Sequence, residues 1–118
     1  MGFVKVKAIV WNVDKPSEVR ELELLVDTGS IYTVLPAKLL SELSVKPIGV
    51  RRFRLADGRV IERSVGVIGI EVQGIRAHTI VVFGDEDIHL LGSTTLEELG
   101  LEVDPVNKTL KPTELLLM

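Results

Sequence analysis

The 118-residue sequence contains no cysteine, which excludes a disulfide framework, a thiolate nucleophile and any cysteine-ligated metal. It also has no excess of positive charge: 17 acidic residues stand against 14 basic ones, for a net charge of -3. Such a chain sets up no general field that gathers nucleic acid or an anionic membrane, so a charged partner has to be read by a local patch. Long apolar runs are missing as well. The opening MGFVKVKAIVW is interrupted by Lys5 and Lys7, and the closing ELLLM is far too short to span a bilayer. A soluble, cytoplasmic protein with no membrane partner is the expectation.

What the sequence does have is apolar content and strand patterning. Apolar residues make up 46% of the chain and the mean hydropathy is +0.31, high for something the size of one ordinary domain. One folding unit, residues 1–118, is expected, with part of the apolar surplus buried between subunits. Four apolar residues in ELLLM would be a liability if left in water, which suggests the same pairing. β-branched residues alternate with polar ones, and turn formers separate the runs. Phe3 to Val13 reads as a first strand and Arg20 to Val26 as its hairpin partner, with Leu22, Leu24 and Val26 on one face and Glu21 and Glu23 on the other. Pro36 to Leu43 suits a short helix. Val50 to Leu55 and Arg59 to Val72 flank Asp57 and Gly58, a two-residue signal for a tight hairpin at the tip of a long protruding ribbon. Gln73 and Gly74 turn the chain into Ile75 to Phe83. Thr95 and Glu98 have capping-box spacing and Gly100 is a stop, which predicts a second helix of about two turns. Asp104 to Lys108 then turn the chain into a last strand from Thr109.

The stretch LLVDTGSIYTVLP, Leu24 to Pro36, departs from this pattern. An apolar strand runs into a carboxylate, Asp27, then Thr28, Gly29 and Ser30, and becomes apolar again at once. All four polar residues are ordinary turn formers, so the triplet Asp-Thr-Gly alone is a weak signal. Its setting strengthens it, because a polar turn placed between two apolar runs puts a carboxylate where burial is expected, and a buried carboxylate needs partners or a purpose. Small neighbours let backbone N–H groups approach it.

Three segments together resemble the single-lobe, retroviral-type aspartic proteases, over about Val6 to Leu110. They are LLVDTGS at Leu24 to Ser30, like the family's catalytic turn; LADGRV at Leu55 to Val60, in the place of its flap; and HLLGSTTLEELGLEVD at His89 to Asp104. In the third segment Leu90, Leu91 and Gly92 are similar to the family's apolar pair and glycine, which support the catalytic loop and precede a short helix. The flap departs from the retroviral pattern in lacking a run of glycines. The resemblance implies a mostly β fold, a small closed or strongly curved barrel with one or two short helices. It also implies aspartic endopeptidase activity on an extended peptide or protein. Asp27 would be the acid or base. Thr28 would brace the turn across a twofold axis, Gly29 would give its N–H to the carboxylate, and Ser30 would bond its outer oxygen. Ala56, Asp57 and Gly58 would touch substrate.

Water attack on an amide is well served by two carboxyls that share one proton. The chain has a single Asp-Thr-Gly, and Asp14, Asp57, Asp85, Asp87 and Asp104 have neither its flanks nor its small neighbours. The second carboxyl is therefore expected from a second copy of Asp27, in a homodimer. A non-catalytic dimerisation or peptide-binding module is the alternative reading. Arg51, Arg52, Arg54, Arg59 and Arg63 would allow a nucleic acid binder, against which the acidic total weighs; more simply they keep an exposed ribbon soluble. His78 and His89 have no metal-ligand spacing, and neither metal nor cofactor is expected. Trp11, the one tryptophan, reads as a packing residue.

Overall fold

The computed structural model describes residues 3–118, and it is mostly β with two short helices. The strands are β1 (Lys5–Trp11), β2 (Val19–Val26), β3 (Thr33–Pro36), β4 (Gly49–Arg54), β5 (Val60–Val72), β6 (Ile75–Gly84), β7 (Leu90–Leu91), β8 (Leu101–Asp104) and β9 (Thr109–Pro112). Helix α1 (Ala37–Glu42) follows β3, and α2 (Ser93–Leu99) follows β7. In the large sheet the order is β1-β2-β7-β3-β6-β5-β4, and β1 also pairs with β5, so six strands close into a ring with β4 outside it. This is the expected small barrel. Closure removes the free edges that an open sheet of this apolarity would present.

The period-2 pattern sets the inside of the ring. In the β1–β2 hairpin, Val6 lies opposite Leu24 and Ala8 opposite Leu22, while Lys5, Lys7, Glu21 and Glu23 alternate with them. Ala8, Val10 and Leu24 are fully buried there. They meet Leu35, Leu40, Ile68, Ile70, Val81 and Leu91 in one core, which α1 closes with Leu39 and Leu40 and α2 closes with Leu96 and Leu99. Trp11 is buried as expected, with Arg76 over its ring at 5.4 Å.

Strand β5 does two jobs along its length. Its second half runs inside the ring, with Gly69–Glu71 on β1, while Val60–Val65 pair with Arg54–Gly49 of β4 and project as the expected ribbon. The turn at the ribbon tip differs from the two-residue form. Gly58 N–H donates to Leu55 O, Leu55 N–H donates to Arg59 O, and only Gly58 has a positive φ, at 90°. The loop is thus three residues long, a turn closed by one left-handed glycine. Asp57 stays at negative φ because its carboxylate accepts the Arg59 N–H at 2.9 Å. Gln73 and Gly74, both with positive φ, make the true two-residue turn between β5 and β6.

The capping-box expectation for α2 is also corrected. The helix starts three residues earlier, with Gly92 at the N-cap and no side-chain cap. Thr95 is inside the helix and completely buried, and Glu98 serves another purpose, described below. Gly100 ends the helix in the left-handed conformation, as expected.

Candidate active site

Asp27 is placed by backbone hydrogen bonds on both sides of its turn. Before it, β2 lies parallel to β7: Leu25 N–H donates to His89 O at 2.9 Å and Asp27 N–H to Leu91 O at 3.0 Å. After it, Ser93 N–H donates to Ser30 O at 2.8 Å and Thr94 N–H to Ile31 O at 3.0 Å. The segment from His89 to Thr94 therefore grips the loop from end to end, the support expected of Leu90, Leu91 and Gly92.

Gly92 sits where the two chains cross. A Cβ on it would lie 2.3 Å from the carbonyl carbon of Tyr32 and 2.8 Å from the Thr33 nitrogen, both backbone atoms that cannot step aside. Glycine is the residue the crossing admits. Its N–H donates to Thr33 Oγ1 at 3.2 Å.

From Thr33 a chain of hydroxyls runs through the interior. Thr33 Oγ1 is 2.6 Å from Thr95 Oγ1, Thr95 Oγ1 is 2.8 Å from Thr79 Oγ1, and Thr79 donates to Glu98 Oε1 at 2.6 Å. Each hydroxyl has one proton. Since Thr79 gives its proton to the carboxylate, Thr95 must donate to Thr79 and Thr33 to Thr95, so the chain has one direction, from the Gly92 N–H to Glu98. Thr33, Thr79 and Thr95 are all buried, and every link is made, which is the condition under which buried polar groups stabilise. Thr95 and Glu98 thus tie α2 to the floor of the site instead of capping the helix.

In the turn itself, Gly29 N–H donates to Asp27 Oδ1 at 3.0 Å, as expected. Asp27 is half-buried, and Thr28 and Gly29 are exposed on the surface of the subunit. The Ser30 hydroxyl donates to Tyr32 O at 2.8 Å and so stabilises the loop, where a bond to the Asp27 carboxylate was expected.

A cleft of about 740 Å³ opens above Asp27, a size suited to a bound ligand. Its floor comes from Asp27, Gly29 and Ser30, one wall from Ile31, Tyr32 and Val34, and the other from Asp85, Ile88 and Leu90. The ribbon roofs it with Phe53, Arg54, Leu55, Ala56, Arg59, Ile61 and Arg63. Of the residues expected at the site, the structure gathers Asp27, Gly29, Ser30 and Ala56 on this cleft. Thr28, Asp57 and Gly58 are not on its walls. Asp57 folds back within its own turn, where the Arg59 N–H and then the Arg59 guanidinium hold its carboxyl below the usual aspartate range.

Sequence reasoning missed Tyr32 and Phe53. Their rings meet edge to face at 6.1 Å and join the ribbon to the Asp27 loop. The available signal was Phe53 on β4 opposite Ile61 on β5, with Leu55 just past the strand end, an apolar stripe on a ribbon otherwise full of charge. His89 is half-buried beside a second hollow of about 420 Å³ with Lys5 and Glu23, and His78 is exposed elsewhere. Among the described residues no group of three His, Asp or Glu side chains could hold a metal.

The solution structure of Simian Foamy Virus (mac) protease superposes with a TM-score of 0.57 at 21% identity, covering 78% of this chain and 90% of that one. At that identity the likeness concerns the fold. No curated protein matches the chain. The family model described as "gag-polyprotein putative aspartyl protease" matches residues 18–98, from the start of β2 to the end of α2, and so takes in the Asp27 turn, the ribbon and the Gly92 crossing. With well over half its length matched, the chain belongs to the retroviral-type aspartyl protease family.

Proposed function

We propose that the protein is a homodimeric aspartic endopeptidase in which Asp27 of each subunit supplies one carboxyl of a dyad. The observation that carries this reading is the placement of Asp27. A carboxylate held by a backbone N–H sits at the floor of a peptide-sized cleft, in a turn whose outer residues, Thr28 and Gly29, face out of the subunit. One such turn per chain provides half of the acid–base pair that amide hydrolysis uses, and a second copy provides the other half. Exposed Leu115, Leu116, Leu117 and Met118 support association, since side chains this apolar gain by being covered.

In the dimer the two carboxyls repel as anions, so one holds a proton and the other does not, the effect for which aspartic protease dyads are the standard illustration. The ionised Asp27 takes a proton from water as its oxygen attacks the peptide carbonyl carbon. The protonated Asp27 gives its proton to the carbonyl oxygen. A proton then passes to the amide nitrogen as the C–N bond breaks, and a carboxyl and an amine leave. Gly29 keeps one oxygen of the base oriented through its N–H. Thr28 donates its hydroxyl across the axis to the partner's loop. The ribbon, through Ala56 and its neighbours, lies along an extended substrate, adds strand-like hydrogen bonds and keeps water out.

Asp27→Asn removes the charge with little change of shape. It should lower peptide hydrolysis by roughly 10²–10⁴-fold, the usual share of acid–base catalysis, while the circular dichroism spectrum and the sedimentation of the dimer stay as in the parent. Cleavage at the parental rate by that variant would leave only the alternative, a protease-like binding module.

A further inference from the structure

The ribbon has a charge pattern that catalysis by Asp27 does not use. Between Arg51 and Arg63 it carries five arginines against Asp57 and Glu62, in a chain whose total is -3. Register sorts these side chains between its two faces. Arg51 lies directly opposite Arg63, and Phe53 opposite Ile61, so all four share one face. Phe53, Ile61 and Arg63 of that face line the cleft together with Asp27, and Arg51 joins them through its hydrogen bond to the lining residue Tyr32. Arg54 and Arg59 line the cleft as well, but Arg54 donates to Gly58 O and Arg59 is paired with Asp57.

Like charges directly opposite on a ladder are unfavourable unless an anion offsets them. Little does so here. Arg51 donates to the neutral Tyr32 hydroxyl at 2.9 Å and lies over that ring at 5.8 Å. Arg63 reaches Asp85 only at 3.8 Å, and the Asp85 side chain is 74% exposed, so water screens the pair. Two arginines thus stand opposite each other on the ladder, with one screened carboxylate near Arg63 and none on Arg51, at the end of an apolar stripe. An extended peptide along the ribbon presents alternate side chains to this face. A carboxylate arriving there fits the planar fork of a guanidinium. A nucleic acid fits less well, because the floor carries the Asp27 carboxylate and the walls are largely apolar.

We propose that Arg51 and Arg63 form a subsite for a glutamate or aspartate side chain, which makes the cleft selective for acidic peptides. The proposal rests on the proteolytic reading of Asp27. Its test uses peptide pairs that differ only by Glu or Gln, with the substitution moved along the positions flanking the cut. At one position the parent should favour Glu by roughly tenfold in kcat/KM, as a charge-assisted hydrogen bond implies. That Glu-to-Gln ratio should fall towards unity in Arg51→Gln and in Arg63→Gln, be partly kept in Arg63→Lys, and shrink as salt is raised. Equal cutting of Glu and Gln peptides at every position overturns the subsite and leaves the protease intact, as does a preference that both Gln variants retain. Affinity of the same pairs for the Asp27→Asn dimer supplies an independent reading. Tighter binding of the Glu peptide there supports the subsite even if no parent cleavage is found, which would defeat the proteolytic reading instead. Displacement of the Glu peptide by a single-stranded oligonucleotide at lower concentration than by unlabelled Glu peptide would overturn the proposal in favour of a nucleic acid site.

Discussion

The floor and the roof of the cleft are built from opposite materials. The floor is a crossing of two chains fixed by backbone hydrogen bonds, a glycine with no room for a methyl group, and a closed line of buried threonines. The roof is a two-stranded ribbon whose residues from Gly49 to Val60 are nearly all exposed, held to the wall beneath it by Phe53 and Arg51 on Tyr32 and by Arg63 near Asp85. Few buried contacts put the ribbon at the low-stability end of the molecule, whereas the crossing unfolds only with the whole barrel. The difference suits the proposed chemistry. A shared proton demands fixed carboxyls below, and an entering peptide demands a roof that can give way above.

Substitutions that break the floor should therefore cost far more than changes in the roof. The largest effect is expected of Gly92→Ala, whose methyl would be driven into the Tyr32–Thr33 peptide. A loss of about 3 kcal/mol or more is expected, because the obstacle is backbone and overpacking cannot be relieved by a rotamer change. Denaturant unfolding at fixed protein concentration measures it, and a parental midpoint would show that the crossing is looser than its contacts indicate. Next comes Thr95→Val, which keeps the shape but removes the middle of the hydroxyl line, so that Thr33 loses its acceptor and Thr79 its donor. A loss of about 2 kcal/mol is expected from two buried groups left unpaired, against near neutrality if water were to replace the hydroxyl.

The smallest effect belongs to the roof. The folded-state pKa of Asp57 is lowered, first by the Arg59 N–H and then by its guanidinium. A carboxyl lowered by folding contributes order that is present above its unfolded pKa and is lost as pH falls through the folded value. Acidification should thus loosen the ribbon tip locally while the barrel stays folded. An NMR titration of the Asp57 carboxyl checks this: its midpoint should lie below that of an ordinary aspartate, and Arg59→Gln should raise it only part of the way, because the backbone donor remains. A midpoint at the ordinary value would contradict the geometry of the turn.

Much of this contrast was legible in the sequence, for identifiable reasons. The barrel strands followed from period-2 alternation, which the closed ring satisfies directly, as Leu22 and Leu24 opposite Ala8 and Val6 show. The Asp27 turn was legible because its polar letters interrupt an apolar run. What was not legible depended on partners far away in the chain. Thr95 and Glu98 have the spacing of a cap, and only the approach of Thr33 and Thr79, 62 and 16 residues from Thr95, turns Thr95 into a buried link. Tertiary contact overrode a local signal. The Ser30 hydroxyl likewise takes a backbone acceptor, Tyr32 O, which the letters around it do not single out. The ribbon arginines were read as solubilising because their strand partners could not be assigned without the register that sets Arg51 opposite Arg63.

Subunit mixing tests the central claim most directly. Parent protein is combined with increasing proportions of Asp27→Asn protein, the subunits are allowed to exchange, and peptide hydrolysis is followed at constant total concentration. If each active centre takes one Asp27 from each of two chains, activity falls as the square of the parental fraction, because every mixed dimer is dead. A fall in simple proportion to that fraction would mean that one chain suffices, and the dyad across a twofold axis would be wrong.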